Sequence, residues 1–212
     1  MGGQPYIEVA SALPVSGTTG EWRRDMQVRK SIQNCFRKLF AHMPYKDITI
    51  TQICKEANVS RGAFYDYFTD KEAVVSSIVE DEVIEPQKLL QRSVPISQYK
   101  SSPQILTELL YQSIYQNKGF YVRLNKIDNG ALLVRMLTEG FMSLNEEILK
   151  SFKLPKDEEY YARYFFAASN AALVSKWLDN GMDITPTRLC HLFNKWTLHY
   201  WRDVMPNKMD WM

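Results

Sequence analysis

Apolar positions recur at steps of three and four along most of the chain. Ile32, Cys35, Phe36, Leu39, Phe40 and Met43 form one stripe, which predicts a helix over about residues 23–42 that Pro44 ends. Ile50, Ile53, Cys54 and Ala57 give a short second helix its buried side. Val59 plugs the turn after it, and Ala63, Phe64 and Phe68 line the inner side of a short third helix. Ala73, Val74, Ile78 and Val79 begin a longer helix expected to run to near Pro86. Pro95 and Pro103 punctuate a polar link, and helical spacing resumes over residues 104–116, 130–151, 158–180 and 183–207. Asn180-Gly181 reads as a helix stop followed by a turn. There is no strand alternation of any length and no internal repeat, so the fold class is all-α.

Two of these helices differ in how their apolar residues are spread. Over residues 157–178, Tyr161, Tyr164, Phe165, Phe166, Ala167, Ala168, Ala171, Ala172, Leu173, Val174 and Trp177 leave almost no polar side. A soluble helix of this kind must be covered twice, by its own domain and by a second subunit. The last helix carries a single stripe of Leu189, Leu192, Phe193, Trp196 and Tyr200.

Helix-start signals cluster between residues 49 and 72. Thr49 with Gln52 has capping-box spacing, Ser60 precedes the short third helix, and Thr69 with Glu72 is a second capping box. Two short helices joined by Ala57-Asn58-Val59-Ser60 follow the helix-turn-helix plan, in which the second helix enters the DNA major groove.

Charge sharpens this picture. The net charge is +2. Yet residues 22–71 hold ten cations (Arg23, Arg24, Arg29, Lys30, Arg37, Lys38, Lys46, Lys55, Arg61, Lys71) and five carboxylates (Asp25, Asp47, Glu56, Asp66, Asp70), which is +5 and leaves −3 elsewhere. Phosphate binding needs such a basic module, although a solvated basic face has the same composition.

The 212 residues, 45% of them apolar, suit one ordinary globular unit or a small domain fused to a larger one. The expected division is a mobile arm at 1–21, a DNA-binding unit at 22–70 and a helical effector-binding and dimerisation unit at 71–212. The arm contains Pro, Gly, Ser and Thr and lacks a basic start and an apolar signal core. Without a run of about 18 apolar residues, no membrane span is expected, and the location expected is cytoplasmic. Cys35, Cys54 and Cys190 are too scattered for zinc, and Cys35 and Cys54, on apolar helix faces, read as buried reduced thiols. His191 and His199 have no matching carboxylate or cysteine spacing, so no metal and no cofactor are expected. Phosphate-loop, dinucleotide, zinc-protease and serine-hydrolase motifs are missing, which argues against an enzyme.

These residues resemble the tetracycline-repressor-like (TetR/AcrR) family of bacterial transcription regulators. The matching features are Thr49, Ile53, Ala57, Val59 and Ser60 in the helix-turn-helix, Tyr65-Asp66-Tyr67-Phe68 after it, and Asp70-Lys71-Glu72 opening the fourth helix. Tyr67 departs from the histidine of many relatives. Farther on, Trp177-Leu178-Asp179-Asn180-Gly181-Met182 with Thr185-Pro186 is similar to the penultimate helix, turn and last helix of one branch.

The resemblance implies a set of roles. Thr49 and Thr51 would face phosphate at the start of the second helix, with Ser60 in the turn. Arg61 would read a guanine edge, and Gly62 and Ala63 would let the backbone approach the groove unless Ala63 faces inward. Tyr65 and Tyr67 would meet backbone and thymine methyls, Asp66 would lie beside them, and Lys71 would neutralise a phosphate. An effector site in the larger domain would draw on Tyr111, Tyr115, Phe120, Tyr121, Phe141, Met142, Tyr161 and Phe165, residues that also fit a plain core. A homodimeric four-helix bundle would use Tyr164, Ala168, Ala172, Trp177, Leu189, Phe193, Trp196 and Tyr200.

The implied function is a ligand-released repressor that binds a double-stranded, palindromic DNA operator as a homodimer. The recognition helices would sit roughly 34–40 Å apart, and a small-molecule effector would tilt the fourth helix to change that spacing. The alternative is an activator or co-activator of the same fold that recruits another protein rather than reading DNA.

Overall fold

The computed structural model describes residues 19–93, 104–150 and 153–204. Expectations for most of the arm at 1–21 and for the link around Pro95 lie outside those residues. Every regular element among the described residues is helical. None of these helices is long and apolar enough to cross a membrane.

The first helix, α1 (Thr19–His42), ends before Pro44, and a 3-10 turn over Tyr45–Asp47 leads into α2 (Ile50–Ala57). The capping box forms as the spacing predicts: Gln52 N donates to Thr49 Oγ1 at 3.2 Å and Thr49 N donates to Gln52 Oε1 at 2.8 Å. Asn58 ends α2 in the left-handed region at φ 53°, and its short polar side chain makes that conformation tolerable. Ser60 then caps α3 (Arg61–Tyr65) by accepting from Ala63 N at 3.0 Å. The next cap falls one residue later than the Thr69 expected: Asp70 accepts from Ala73 N at 2.8 Å and opens α4 (Lys71–Val79). A carboxylate at that end also favours the helix dipole, which a hydroxyl does not.

The long helix does not stop at Pro86. It passes through a π-helical segment, Glu80–Ile84, into α5 (Glu85–Ser93). Proline removes one backbone donor and crowds the carbonyl four residues back. Here Glu85 N reaches back to Glu80 O in the wider π pattern, and the Gln87 side chain donates to Val83 O at 2.9 Å.

The larger body adds α6 (Gln104–Gln116), α7 (Lys118–Leu124), α8 (Ala131–Lys150), α9 (Lys156–Asp179) and α10 (Pro186–Val204). The spacing of apolar residues did not predict α7. Its N-cap, Asn117, is of a capping type but makes no side-chain cap bond; its amide donates instead to Ser113 O at 3.3 Å. One hydrophobic core runs from Ile32, Phe36, Ile53 and Phe64 in the basic module to Tyr111, Leu133 and Val174 in the body. All three cysteines are buried and form no disulfide, as the apolar setting of Cys35 and Cys54 predicts for those two.

Candidate nucleic-acid interface

The helix-turn-helix presents its polar side to solvent. Phe64 is fully buried and anchors α3, while Arg61, Gly62, Tyr65 and Asp66 are exposed. Tyr65 is 49% accessible, which is high for a ring at the end of a helix. Arg61 Nη2 lies 3.5 Å from Tyr65 Oη, so the two polar tips stand together on one side of α3. A Cβ at Gly62 would meet only Ser60 Oγ, at 3.7 Å. Packing therefore does not require glycine there; its effect is an open backbone. Ala63 is partly buried, turned toward the interior. Thr51 is exposed at the start of α2, whereas the Thr49 and Ser60 hydroxyls are already committed to capping.

Two of the expected contact residues are engaged inside the protein. The Tyr67 hydroxyl donates to Asp25 Oδ1 on α1 at 2.8 Å, a bond that raises the phenol above its ordinary pKa. Lys71 Nζ donates to the carbonyls of Tyr45 at 2.8 Å, Ile48 at 2.9 Å and Lys46 at 3.3 Å, and sits 4.4 Å above the Tyr45 ring. An ammonium has three donors, and all three are used. Lys71 is thus a staple across the α1–α2 connector, not a free cation at the surface. Beneath it, burial pushes the Tyr45 phenol up to about 12, with Glu72, Asp70 and Asp128 adding to the shift.

Cations of α1 tie the module to the body. Arg29, Lys30 and Gln33 all donate to Asp81 Oδ2, at 2.7, 2.8 and 2.9 Å, in the π segment. Burial alone would raise the Asp81 carboxyl, but these three donors bring it below its usual value. One residue on, Glu82 pairs with Arg37 and accepts from the Tyr121 hydroxyl at 3.1 Å. Arg37 lies 4.2 Å over Phe120, and Arg123 donates to Met43 O at 3.2 Å. Part of the basic excess of residues 22–71 is therefore spent inside the protein, an outcome that charge counting cannot reveal.

In the body the structure redistributes the expected effector residues. Tyr161 and Phe165 point outward, 70% and 57% accessible. They belong to an exposed face of α9 and not to an interior site, because the inner side of that helix is filled by Ala162, Phe166, Ala167, Ala171 and Val174. Tyr111 and Tyr121 are fully buried core, Phe120 packs against Phe40, and Tyr115 is 40% accessible and stacked on Trp177. Met142 is partly buried. Phe141 alone of the eight lines a cavity of about 80 Å³ between α5, α6, α8, α9 and α10. Its polar lining, Gln87, Thr107, Asn145 and Asn170, escapes a search for aromatic stripes. The available signal was a polar residue interrupting an apolar helix face, as Asn170 does between Ala167 and Ala171.

The expected dimer residues divide in the same way. Tyr164 and Trp196 are 51% and 58% accessible, Ala172 is exposed and Ala168 is partly so. Trp177 and Leu189 are instead buried within the protomer, at 3% each. Trp177 Nε1 donates to Ile184 O at 2.9 Å, fixing the α9–α10 turn from inside. Phe193 is partly buried against the cavity, and the Tyr200 side chain lies outside the described residues.

Comparison with known proteins agrees with this geometry. The family model described as bacterial regulatory proteins, tetR family, matches residues 37–78, and one described as transcriptional regulator C-terminal region matches residues 101–198. The uncharacterized HTH-type transcriptional regulator YuxN of Bacillus subtilis (strain 168) is 30% identical over 115 residues, covering 52% of this chain. The matched stretch spans about a third of that relative, 34% of its length. Among solved structures, the dihydroxyacetone kinase operon activator DhaS superposes with a TM-score of 0.58 at 20% identity, over 83% of this chain and 97% of its own. NalD, the secondary repressor of the MexAB-OprM multidrug efflux pump in Pseudomonas aeruginosa, gives 0.53 at 19% identity, over 87% and 100%. At those identities the two structures share the fold alone. With a capped helix-turn-helix before an all-helical body, and family models matching both parts, the chain belongs to the TetR family of transcriptional regulators.

Proposed function

We propose that this regulator is a ligand-released repressor that binds a near-palindromic operator as a homodimer. The observation that carries the reading is the exposed set of Arg61, Gly62 and Tyr65 on a short helix whose opposite side is anchored by buried Phe64. An arginine at the start of such a helix can bond bidentately to guanine O6 and N7, and small neighbours let the backbone come close to the groove. Thr51 and the free N–H groups of α2 would meet phosphate. Residues 22–70 act as the DNA-binding unit in this reading, and 71–212 as the effector and dimer unit.

Dimerisation is inferred from the outer face of α9 and α10. Tyr161 and Tyr164 on α9 and Trp196 on α10 each expose a large ring, and exposed aromatic surface favours burial against a partner. A second copy brings two α3 helices to successive major grooves, about 34 Å apart. Effector binding in the body would bias the long helix from Lys71 to Ser93 and change that spacing, a differential-affinity switch. A protein that acts on a bacterial chromosome works in the cytoplasm.

DhaS, an activator, supports a second reading in which the same fold raises transcription by recruiting another protein. Both readings are tested by selecting bound duplexes from a random pool and weighing the complex. A palindrome recovered at two protomers per duplex supports the first. An intact dimer that enriches no sequence favours the second.

A further inference from the structure

Tyr67 stands just past the end of α3, and its only hydroxyl proton already has an acceptor. The ring packs against the hydrophobic core, so packing fixes where the phenol lies. The hydroxyl donates to Asp25 Oδ1 at 2.8 Å. A phenol has one O–H to give, and a DNA phosphate can only accept. Asp25 therefore fills the place that a phosphate oxygen would take on this residue. The bond lies at the surface, and Asp25 itself is exposed early in α1. Arg29, one turn along α1, has the spacing to pair with Asp25, but its guanidinium is 2.7 Å from Asp81 Oδ2 instead. Asp25 is thus left without a cation among the described residues and free to take the Tyr67 proton. A second exposed carboxylate, Asp66, flanks the same phenol: the Asp25 hydrogen bond chiefly, with the charge of Asp66 adding, holds it above its ordinary pKa. Lys71, four residues beyond Tyr67, is committed to backbone carbonyls and does not offset them.

We propose that Asp25 is an affinity-setting residue of the DNA interface, a built-in stand-in for phosphate that masks the Tyr67 hydroxyl. A duplex docked on α3 can bond Tyr67 only by displacing Asp25, which exchanges one anionic acceptor for another. That exchange gains little, so the hydroxyl adds almost nothing to affinity while Asp25 is present. The displaced carboxylate is then left unpaired beside the phosphate backbone, a like-charge contact that lowers affinity further. Phosphate contacts carry no base information, so Asp25 sets the strength of binding and leaves base preference alone. This inference rests on the DNA-reading function proposed above and assigns part of its binding strength.

The test is a double-mutant cycle in the full chain: the unaltered protein, Asp25→Ala, Tyr67→Phe and both together. Each is titrated with the duplex recovered by selection. If none is recovered, a mixed-sequence duplex at low salt takes its place, since backbone contacts need no particular sequence. Asp25→Ala should tighten binding by about fivefold or more with base preference unchanged. Tyr67→Phe should change the affinity of the unaltered chain by less than about twofold, yet cost about tenfold in the Asp25→Ala background, where the freed hydroxyl reaches phosphate. Thermal unfolding checks that all four fold; both changes are at the surface, and Asp25→Ala favours the helix. A merely structural Asp25 predicts the opposite sign, weaker binding together with a lower Tm. An equal effect of Tyr67→Phe in the two backgrounds overturns the proposal even where Asp25→Ala tightens binding, because loss of a charge alone would do that. A selected operator without this coupling removes the role of Asp25 and keeps the DNA-reading function. Coupling on the mixed-sequence duplex with no operator selected keeps the masking and removes the operator. No duplex bound by any of the four proteins removes both.

Discussion

Lys71 Nζ lies 2.9 Å from the carbonyl oxygen of Ile48, the residue before the threonine that caps α2. The first residue of α4 thereby holds the entry to the helix-turn-helix. Lys71→Met leaves the carbonyls of Tyr45, Lys46 and Ile48 without this donor, so stability should fall by about 1–3 kcal/mol. DNA affinity should fall with it, while the slope of log affinity against log salt stays the same. A slope shallower by about 0.9 would show that Lys71 neutralises a phosphate after all.

Arg61 is free of any carboxylate partner among the described residues and stands on the solvent side of α3. Arg61→Ala should cost about 1–3 kcal/mol at one base position and relax preference there. Competition with duplexes carrying each base at each position measures this. Uniform loss at all positions would assign Arg61 to the phosphate backbone instead.

Asp81 gathers Arg29, Lys30 and Gln33 onto one oxygen. Its carboxyl sits below the ordinary range in the folded chain, so the unfolded chain binds protons more readily at acid pH. The stabilisation is therefore fully present above the unfolded value, about 4, and is lost as pH falls through the folded one. Asp81→Asn should lower stability at pH 7 and flatten this acid limb in urea titrations. An unchanged limb would mean that the three donors add nothing beyond position.

Gly140 is where α8 crosses the π segment. A Cβ there would fall 2.5 Å from Ile84 Cδ1 and 2.7 Å from its Cγ1, and Ile84 is only 1% exposed. Gly140→Ala gains helix propensity of about 1 kcal/mol but overpacks a buried contact at about 1–3 kcal/mol, so a net loss of up to about 2 kcal/mol is expected. A stabilised variant would show that the π segment yields readily.

The outer ring of Trp196 tests the dimer. Trp196→Arg together with Tyr164→Arg should halve the mass seen by sedimentation and leave helix content intact. A complex of unchanged mass would put the subunit contact elsewhere.

Much of the fold was legible because it is local. Capping at Thr49 and Ser60 and the outward side of α3 all depend on residues within four positions of one another. Helix α7 was not legible from apolar spacing, and its Asn117 gives its amide to Ser113 O and not to a cap; neither was the passage through Pro86, which needs a π turn that no spacing rule announces.

The sequence by itself determined the helical periods, the caps and the polar surface of the recognition helix, because each follows from short-range sterics and hydrogen bonding. Tertiary structure decided what covers each face. It turned Trp177 inward and Tyr161 and Phe165 outward on a helix whose apolar residues surround the axis, and it buried Leu189 within the protomer. It also spent Lys71 on backbone carbonyls and Arg29 and Lys30 on Asp81. Periodicity says which residues share a face; which neighbour meets that face, and which charge meets which partner, depends on contacts between positions far apart in the chain.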